Sequence, residues 1–299
     1  MDVQKAKQFI IGNARPLELA RYRAMFEGGP KAAVIEELGK FQNPDGGFGN
    51  ALEPDSWNPA STPITTNDAL ICLFESGALR EAREMTEGMV RWLKSGDGFD
   101  TEQRRWRFAV EGNRDYPHAI WWEPDGQPEN WNPTVSLAAF LVCMGEGEPW
   151  RGMVREAFQW LETAEKVDSH EIKCFMLAHG LMEMYGVMDV IELEKGREAV
   201  KRAVRMEICK DVEKYGVEYV AGPSAFFHGK GEFMPEGIEE LIRADLAAID
   251  RLQMEDGGFD ITWKWYTPYE KEYEQARDWW RPRVTMEKLG FYSAYKKGE

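Results

Sequence analysis

The seven residues Gln42-Asn-Pro-Asp-Gly-Gly-Phe48 return near the other end of the chain as Gln253-Met-Glu-Asp-Gly-Gly-Phe259. Both copies have the form Q-x-x-D-G-G-F, and each follows an amphipathic helical run. Weaker echoes stand between them at Asp97-Gly98-Phe99 and Pro124-Asp125-Gly126. A recurring turn of this kind marks a repeat architecture. Gln closes the end of one helix, Asp and the glycines supply a turn with positive φ, and Phe anchors the exit of the loop. The motif therefore constrains the fold far more than the chemistry.

Between the turns the pattern reads as helix almost throughout, in two kinds. One kind is amphipathic: after Glu236 the residues Ile238, Leu241, Ile242, Leu246, Ile249 and Leu252 fall on one face. The runs 30–41, 80–94, 150–164 and 189–208 read the same way. The other kind is apolar nearly all round, as in Val135–Met144 and Ile172–Met184, with 68–75 and 285–295 shorter or more mixed. A helix apolar on every side must be covered on every side. The alternation predicts an all-α fold in which an inner ring (15–27, 65–77, 133–145, 169–185 and 283–296) is wrapped by an outer one, an α/α toroid. A solenoid of stacked hairpins is the competitor, disfavoured by the irregular spacing of the units. No composition shift or linker divides the chain, so one domain is expected over 1–299.

Connections from outer to inner helices are long, at 42–64, 95–132, 209–235 and 254–282. In an antiparallel ring they emerge on one face, and they hold most of the 12 tryptophans. Long loops in a compact domain are usually functional, so a small-molecule ligand is expected there. A formal net charge of −15 argues against a nucleic-acid partner, since phosphate contacts need a basic face. Arg104-Arg105-Trp106-Arg107 and Arg281-Pro-Arg283 are the local exceptions. No signal peptide and no apolar run of spanning length are read, so a cytoplasmic protein without an integral membrane segment is expected. The four cysteines show no C-x-x-C spacing and read as buried free thiols.

Each repeat turn is followed by a threonine-bearing helix start, Thr65-Thr66-Asn-Asp-Ala69 or Val284-Thr285. Together these resemble the Q-x-x-D-G-G-F/W repeats of the terpenoid cyclase and protein prenyltransferase superfamily, over the first and last quarters of the chain. The resemblance implies an α/α toroid, a central cavity lined by aromatics, an apolar or isoprenoid-like ligand and acid-initiated cyclisation. The family's reactive centres are missing. There is no D-x-D-D acid motif, no D-x-C zinc pair and no D-D-x-x-D magnesium motif. No metal and no other cofactor is therefore expected.

Candidate chemistry lies in the loops. Glu53-Pro-Asp55-Ser-Trp57 sets two carboxylates beside an indole, and a carboxyl held against aromatic surface can act as a general acid. The bland alternative is that Asp55 caps a turn. Asp68 is the single acid at the Thr65–Ala69 helix start. His118, Trp121, Trp122 and Glu123 could form an aromatic wall with an acid/base pair, or the two rings could simply seal the loop. Asp260, Trp263 and Trp265 alternate in a strand-like way. Beyond Trp280, Arg281 and Arg283 could clamp a diphosphate or carboxylate, or pair with surface acids. His170 and His179 are nine apart, too far for one metal on one helical face, and read as core histidines. The catalytic candidates are Asp55, Asp68 and Glu123, with Trp57, His118, Trp121, Trp122, Asp260, Trp263, Trp265, Trp280, Arg281 and Arg283 as ligand contacts. Two other functions stay open: a carbohydrate-active enzyme of glycoside hydrolase or lyase type, and a binding protein without catalysis. Cavity polarity and the arrangement of carboxylates separate them.

Overall fold

The computed structural model describes residues 1–126, 129–229 and 233–296. The expected domain 1–299 and the expected loops 95–132 and 209–235 take in residues 127–128, 230–232 and 297–299, which lie outside the described residues. The fold is all-α. Eleven helices are described: α1 (Val3–Asn13), α2 (Pro16–Phe26), α3 (Lys31–Gly39), α4 (Pro63–Glu75), α5 (Arg83–Ser95), α6 (Thr134–Cys143), α7 (Trp150–Thr163), α8 (Ser169–Tyr185), α9 (Leu193–Glu207), α10 (Glu239–Leu252) and α11 (Glu270–Tyr295). The only strand pairing among the described residues is a two-residue antiparallel ladder, Phe99–Asp100 against Arg105–Trp106. None of the described helices is long and apolar enough to cross a membrane.

The two kinds of helix are real. In α6 every residue from Thr134 to Val142 is buried, whereas α5, α7, α9 and α10 bury one stripe each. α6 packs on α7 and α8, α8 on α9, and α11 on α1, α2 and α10. Two elements depart from the sequence reading. α1 was not anticipated. α11 starts at Glu270 rather than 283, so the loop expected over 254–282 is helical from 270 onward, nearly half its length. Pro282 lies inside this helix, where its missing N–H removes one backbone bond. Glu270 and Glu272 in the first turn favour the earlier start through the helix dipole.

The two Q-x-x-D-G-G-F turns are built from the same bonds. Gln42 Nε2 donates to Gly46 O at 2.9 Å and across to Met85 O on α5 at 3.0 Å. Gln253 Nε2 donates to Gly257 O at 2.9 Å and across to Asp2 O, just before α1, also at 2.9 Å. Asp45 Oδ1 accepts from Gly47 N–H, and Asp256 Oδ1 from Gly258 N–H. Each exit phenylalanine donates its N–H to a threonine hydroxyl of the next helix, Phe48 to Thr66 and Phe259 to Thr285, both at 3.1 Å. Gln therefore does more than close its own helix; it grips a second one, α5 in the first turn and the start of α1 in the second. α1 stands to the second turn as α5 stands to the first.

The glycines are obligatory for two reasons at once. Gly46 has φ 102° and its absent Cβ would lie 2.2 Å from Gly88 O. Gly257 has φ 93°, with the Lys5 carbonyl oxygen 2.4 Å from the same point. Gly46→Ala is expected to cost about 2–4 kcal/mol in urea unfolding, through strain and a backbone clash. Gly12→Ala, in α1 with nothing within 4 Å of its Cβ position, should instead gain up to about 1 kcal/mol. Equal effects at the two sites would refute the account of the turn.

Beneath the turns lies a buried ionic network. Arg283 of α11 donates from Nε to Glu18 Oε1 of α2 (2.8 Å), from Nη1 to Asp68 Oδ2 of α4 (3.0 Å) and from Nη2 to Leu52 O (2.9 Å). Arg15 grips the same Glu18 through two nitrogens, at 2.9 and 2.7 Å. Burial alone would raise the Glu18 carboxyl; the Arg283 and Arg15 guanidinia reverse this and hold it at about 2. A depressed carboxyl stabilises the fold above its ordinary value of 4.5, and this contribution is lost as pH falls through about 2. The linkage is worth about 3 kcal/mol. Glu18→Gln should cost about 3–5 kcal/mol at pH 7, since it leaves Arg283 buried and short of one counter-charge. It should also flatten the acid limb of a stability–pH curve between pH 4.5 and 2. A variant retaining the full acid limb would place that titration elsewhere.

Candidate active site

Three connections are laced together by backbone bonds. Trp57 N–H donates to Pro117 O, Ala119 N–H to Asp55 O, and Ile120 N–H to Trp265 O, each at 2.9 Å. This stitching fixes Asp55 at the junction, buried to 3% exposure. Its two carboxylate oxygens are both claimed by indoles: Oδ1 by Trp265 Nε1 at 2.6 Å and Oδ2 by Trp263 Nε1 at 3.0 Å. Residues 263 and 265 reach the same acid because they are two apart in an extended segment, as the alternation predicts. The Trp280 indole N–H lies close enough to favour the charged carboxylate, yet it is buried with no partner in hydrogen-bond geometry. Trp57 turns its own N–H to Pro54 O at 3.0 Å and stacks on Trp279, with centroids 5.4 Å apart. Asp55 is thus no turn cap.

Glu53 sits beside Asp55 and is equally buried. Burial, with Asp55 and then Asp68 as like charges, pushes its carboxyl well above the usual range. Burial also raises Asp55 to about 6, against the opposing pull of the Trp265, Trp280 and Trp263 N–H groups. Two carboxyls this close hold one proton between them near neutrality. The bonding says where it sits. Both oxygens of Asp55 accept, which suits the anion, whereas Glu53 Oε2 has no partner and suits a carboxylic O–H awaiting an acceptor. Asp55, raised in the folded state, stabilises the fold below its ordinary value of 3.8 and loses that contribution as pH rises through about 6. Linkage puts the effect at about 3 kcal/mol, opposite in sign to Glu18. Carboxyls perturbed in this way concentrate at functional sites.

The other sequence candidates are placed differently. Glu123 spends its oxygens on Arg114 Nε (2.8 Å) and His118 Nε2 (3.0 Å), while His118 Nδ1 faces Tyr116 O. That pair braces its own loop rather than meeting Asp55. Trp122 is buried against Phe108, and Trp121 packs in the same cluster as Trp57 and Trp265, so these two rings seal the loop. Asp68 is engaged by Arg283 and acts on the site through its charge on Glu53. Arg277 grips Asp260 through two nitrogens and, against partial burial, holds it below the usual carboxylate range. The expected clamp is a correction: Arg281 pairs with Asp256 at 2.8 Å and lies over the Phe9 ring, and Arg283 is consumed by the buried network. Neither is free for a diphosphate. The arginine-rich exception is likewise paired, Arg104 and Arg105 with Glu156 and Arg107 with Asp100.

The sequence reading missed what lies beyond Trp263. Tyr219 meets the edge of Trp263 at 5.8 Å, and its hydroxyl lies 2.6 Å from His170 Nε2 at the start of α8. Asp168 caps that helix by accepting from the His170 and Glu171 N–H groups. Tyr219 is 60% exposed and His170 is also exposed. Yet burial pushes Tyr219 up to about 12 and His170 down to about 4. Rings that solvent touches but surrounding protein desolvates line a recess. Its walls carry charge: Arg21 pairs with Glu75 at 2.9 Å, His228 Nδ1 lies 4.0 Å from the same carboxylate, and Lys173 and Glu287 stand nearby. Single charged residues on helices otherwise apolar all round were the available signal. Among the described residues, no three His, Cys, Asp or Glu side chains are grouped to hold a metal ion.

Comparison with family models, with curated proteins and with solved structures gives no match. The Glu53–Asp55 assignment predicts a visible titration. Tryptophan emission should change with an apparent midpoint near 6 as the acceptor of the two indole bonds turns from neutral to charged. Asp55→Asn should abolish that step, and its persistence would show that another group titrates.

Proposed function

We propose that the chain is a carbohydrate-active enzyme on an α/α-toroid scaffold, with the Glu53–Asp55 carboxyl pair as its proton donor and acceptor. The carrying observation is that this buried carboxyl pair acts on Tyr219, whose exposed but desolvated ring stands beside the charged side chains of Lys173 and Glu287. The toroid is supported by the equivalence of the two turns and by the packing of α11 against α1, α2 and α10. A sugar ring offers an apolar face for indole and phenol rings and hydroxyls for polar walls. Glu53 would protonate the glycosidic oxygen as its bond to the anomeric carbon breaks, the Asp55 anion would stabilise the positive charge developing on the sugar, and a water adding to that carbon would return its proton to Glu53. Four free cysteines fit a reducing, cytoplasmic setting, and the −15 net charge fits a small-molecule ligand over a nucleic acid.

The indoles of Trp263, Trp265 and Trp280 around one acid favour a second reading, an isoprenoid whose cation is shielded by π faces. Turnover and fluorescence quenching with oligosaccharide and isoprenoid panels decide between them. On the carbohydrate reading, Glu53→Gln and Asp55→Asn lower kcat by about 100-fold or more with ligand affinity retained, while Glu123→Gln keeps most activity. Turnover of an isoprenoid and of no saccharide would overturn it.

A further inference from the structure

Past Tyr219 and His170, two side chains of opposite charge, Lys173 and Glu287, lie within electrostatic reach of His170 and of each other. Lys173 lies on α8 three residues after His170, on the same helical face, and is half-buried. Among the described residues its ammonium makes no hydrogen bond and no ion pair within 4 Å. Glu287 of α11 is half-buried as well, and it too has neither a hydrogen bond nor an ion pair within that distance. Its neighbours are otherwise engaged: Lys288 donates to Ser224 Oγ at 2.6 Å, and Arg21 pairs with Glu75. The chain carries 52 acidic residues to 37 lysines and arginines, so an inward lysine without an acid is conspicuous. Lys173 and Glu287 act on one another through the field rather than through contact, so each keeps its hydrogen-bonding capacity for a ligand.

A neutral group that both accepts and donates satisfies the two at once. A hydroxyl accepts from an ammonium and donates to a carboxylate at the same time. An anion would satisfy Lys173 and be repelled by Glu287; a cation would do the reverse. Beside them the Tyr219 and His170 rings lie nearly parallel, 19° apart with centroids at 6.3 Å, and offer a flat wall. We propose that Lys173 and Glu287 form a hydroxyl-recognition subsite for a neutral saccharide, with Tyr219 and His170 as its platform. The proposal rests on the carbohydrate reading and narrows it to uncharged sugars. Glu287 is suited to the acceptor role: desolvation would raise its carboxyl, but His228, Lys173, Lys288 and Arg21 together hold it below the usual range. Both residues are specificity determinants and lie apart from the proton-transfer pair.

The test is a glycan array of neutral, uronic-acid and amino-sugar oligosaccharides probed with the wild type, Lys173→Met and Glu287→Gln. Calorimetric titration of the strongest neutral hit follows, with melting temperatures as the folding control. The wild type should retain a neutral oligosaccharide, and each variant should weaken it by about 10-fold or more, the scale of a hydrogen bond to a charged group. KM should rise with kcat little changed, because the proton-transfer pair is untouched. The double variant should be little worse than either single one, since both residues hold the same hydroxyl. Should Lys173→Met fail to fold, Glu287→Gln carries the test. Hits confined to acidic or amino sugars overturn the proposal, as do variants that bind like the wild type. If saccharides are bound and turned over but the variants are indifferent, the subsite falls and the Glu53–Asp55 reading stands. If no saccharide binds at all, both fall.

Discussion

Most of the arrangement depends on the guanidinium of Arg283. It is 4% exposed and bonds to Glu18, Asp68 and the Leu52 carbonyl. Through these three contacts the last helix is fastened to two early ones and to the stretch that leads into Glu53 and Asp55. A buried cation of this kind stabilises only while every partner is in place. With both carboxylates and a carbonyl present, the charge is compensated and the geometry around it is fixed. The Leu52 contact matters most for function, since it sets the entry angle of the chain one residue before the acid pair.

The site inherits its electrostatics from that anchor. Asp68 carries negative charge toward Glu53, Arg283 opposes it, and burial acts on both members of the acid pair. Two indole N–H groups then settle which carboxyl is ionised. Glu18 and Asp55 illustrate opposite uses of burial. Glu18 is surrounded by guanidinia and made a better anion; Asp55 has only neutral donors and becomes a weaker one. The first arrangement strengthens the fold at neutral pH and the second weakens it.

Local features were legible in the sequence and long-range ones were not. The repeat turns could be read because Gln, Asp, two glycines and Phe act within seven residues, and the fully covered and half-covered helices because their periodicity is local. The strand-like spacing of Trp263 and Trp265 fixes the relative faces of the two rings, but nothing in it names Asp55, 210 positions from Trp265. The sequence pattern begins the last helix at 283, whereas the packed helix starts at Glu270 and carries Pro282 inside it. For Arg281 and Arg283 the sequence leaves a ligand clamp and ion pairing both open, because it cannot show that Asp256, Glu18 and Asp68 hold them. Tyr219, Lys173 and Glu287 come from three distant segments, and only the fold makes them neighbours. A sharper reading would have asked why a helix as apolar as 172–184 carries a lysine at 173.

The shared geometry of the two turns conceals a kinetic asymmetry. In the first, the glutamine reaches a carbonyl 43 residues away; in the second, the corresponding bond spans 251. Loop-closure entropy grows with the logarithm of that separation, which makes the second closure harder by about 1.5 kcal/mol. The first turn can therefore lock while much of the chain is still unstructured. The second must wait for the intervening helices to collapse and bring the two ends together. Identical motifs thus sit at opposite ends of the folding sequence, one serving as an early nucleus and the other as the final latch.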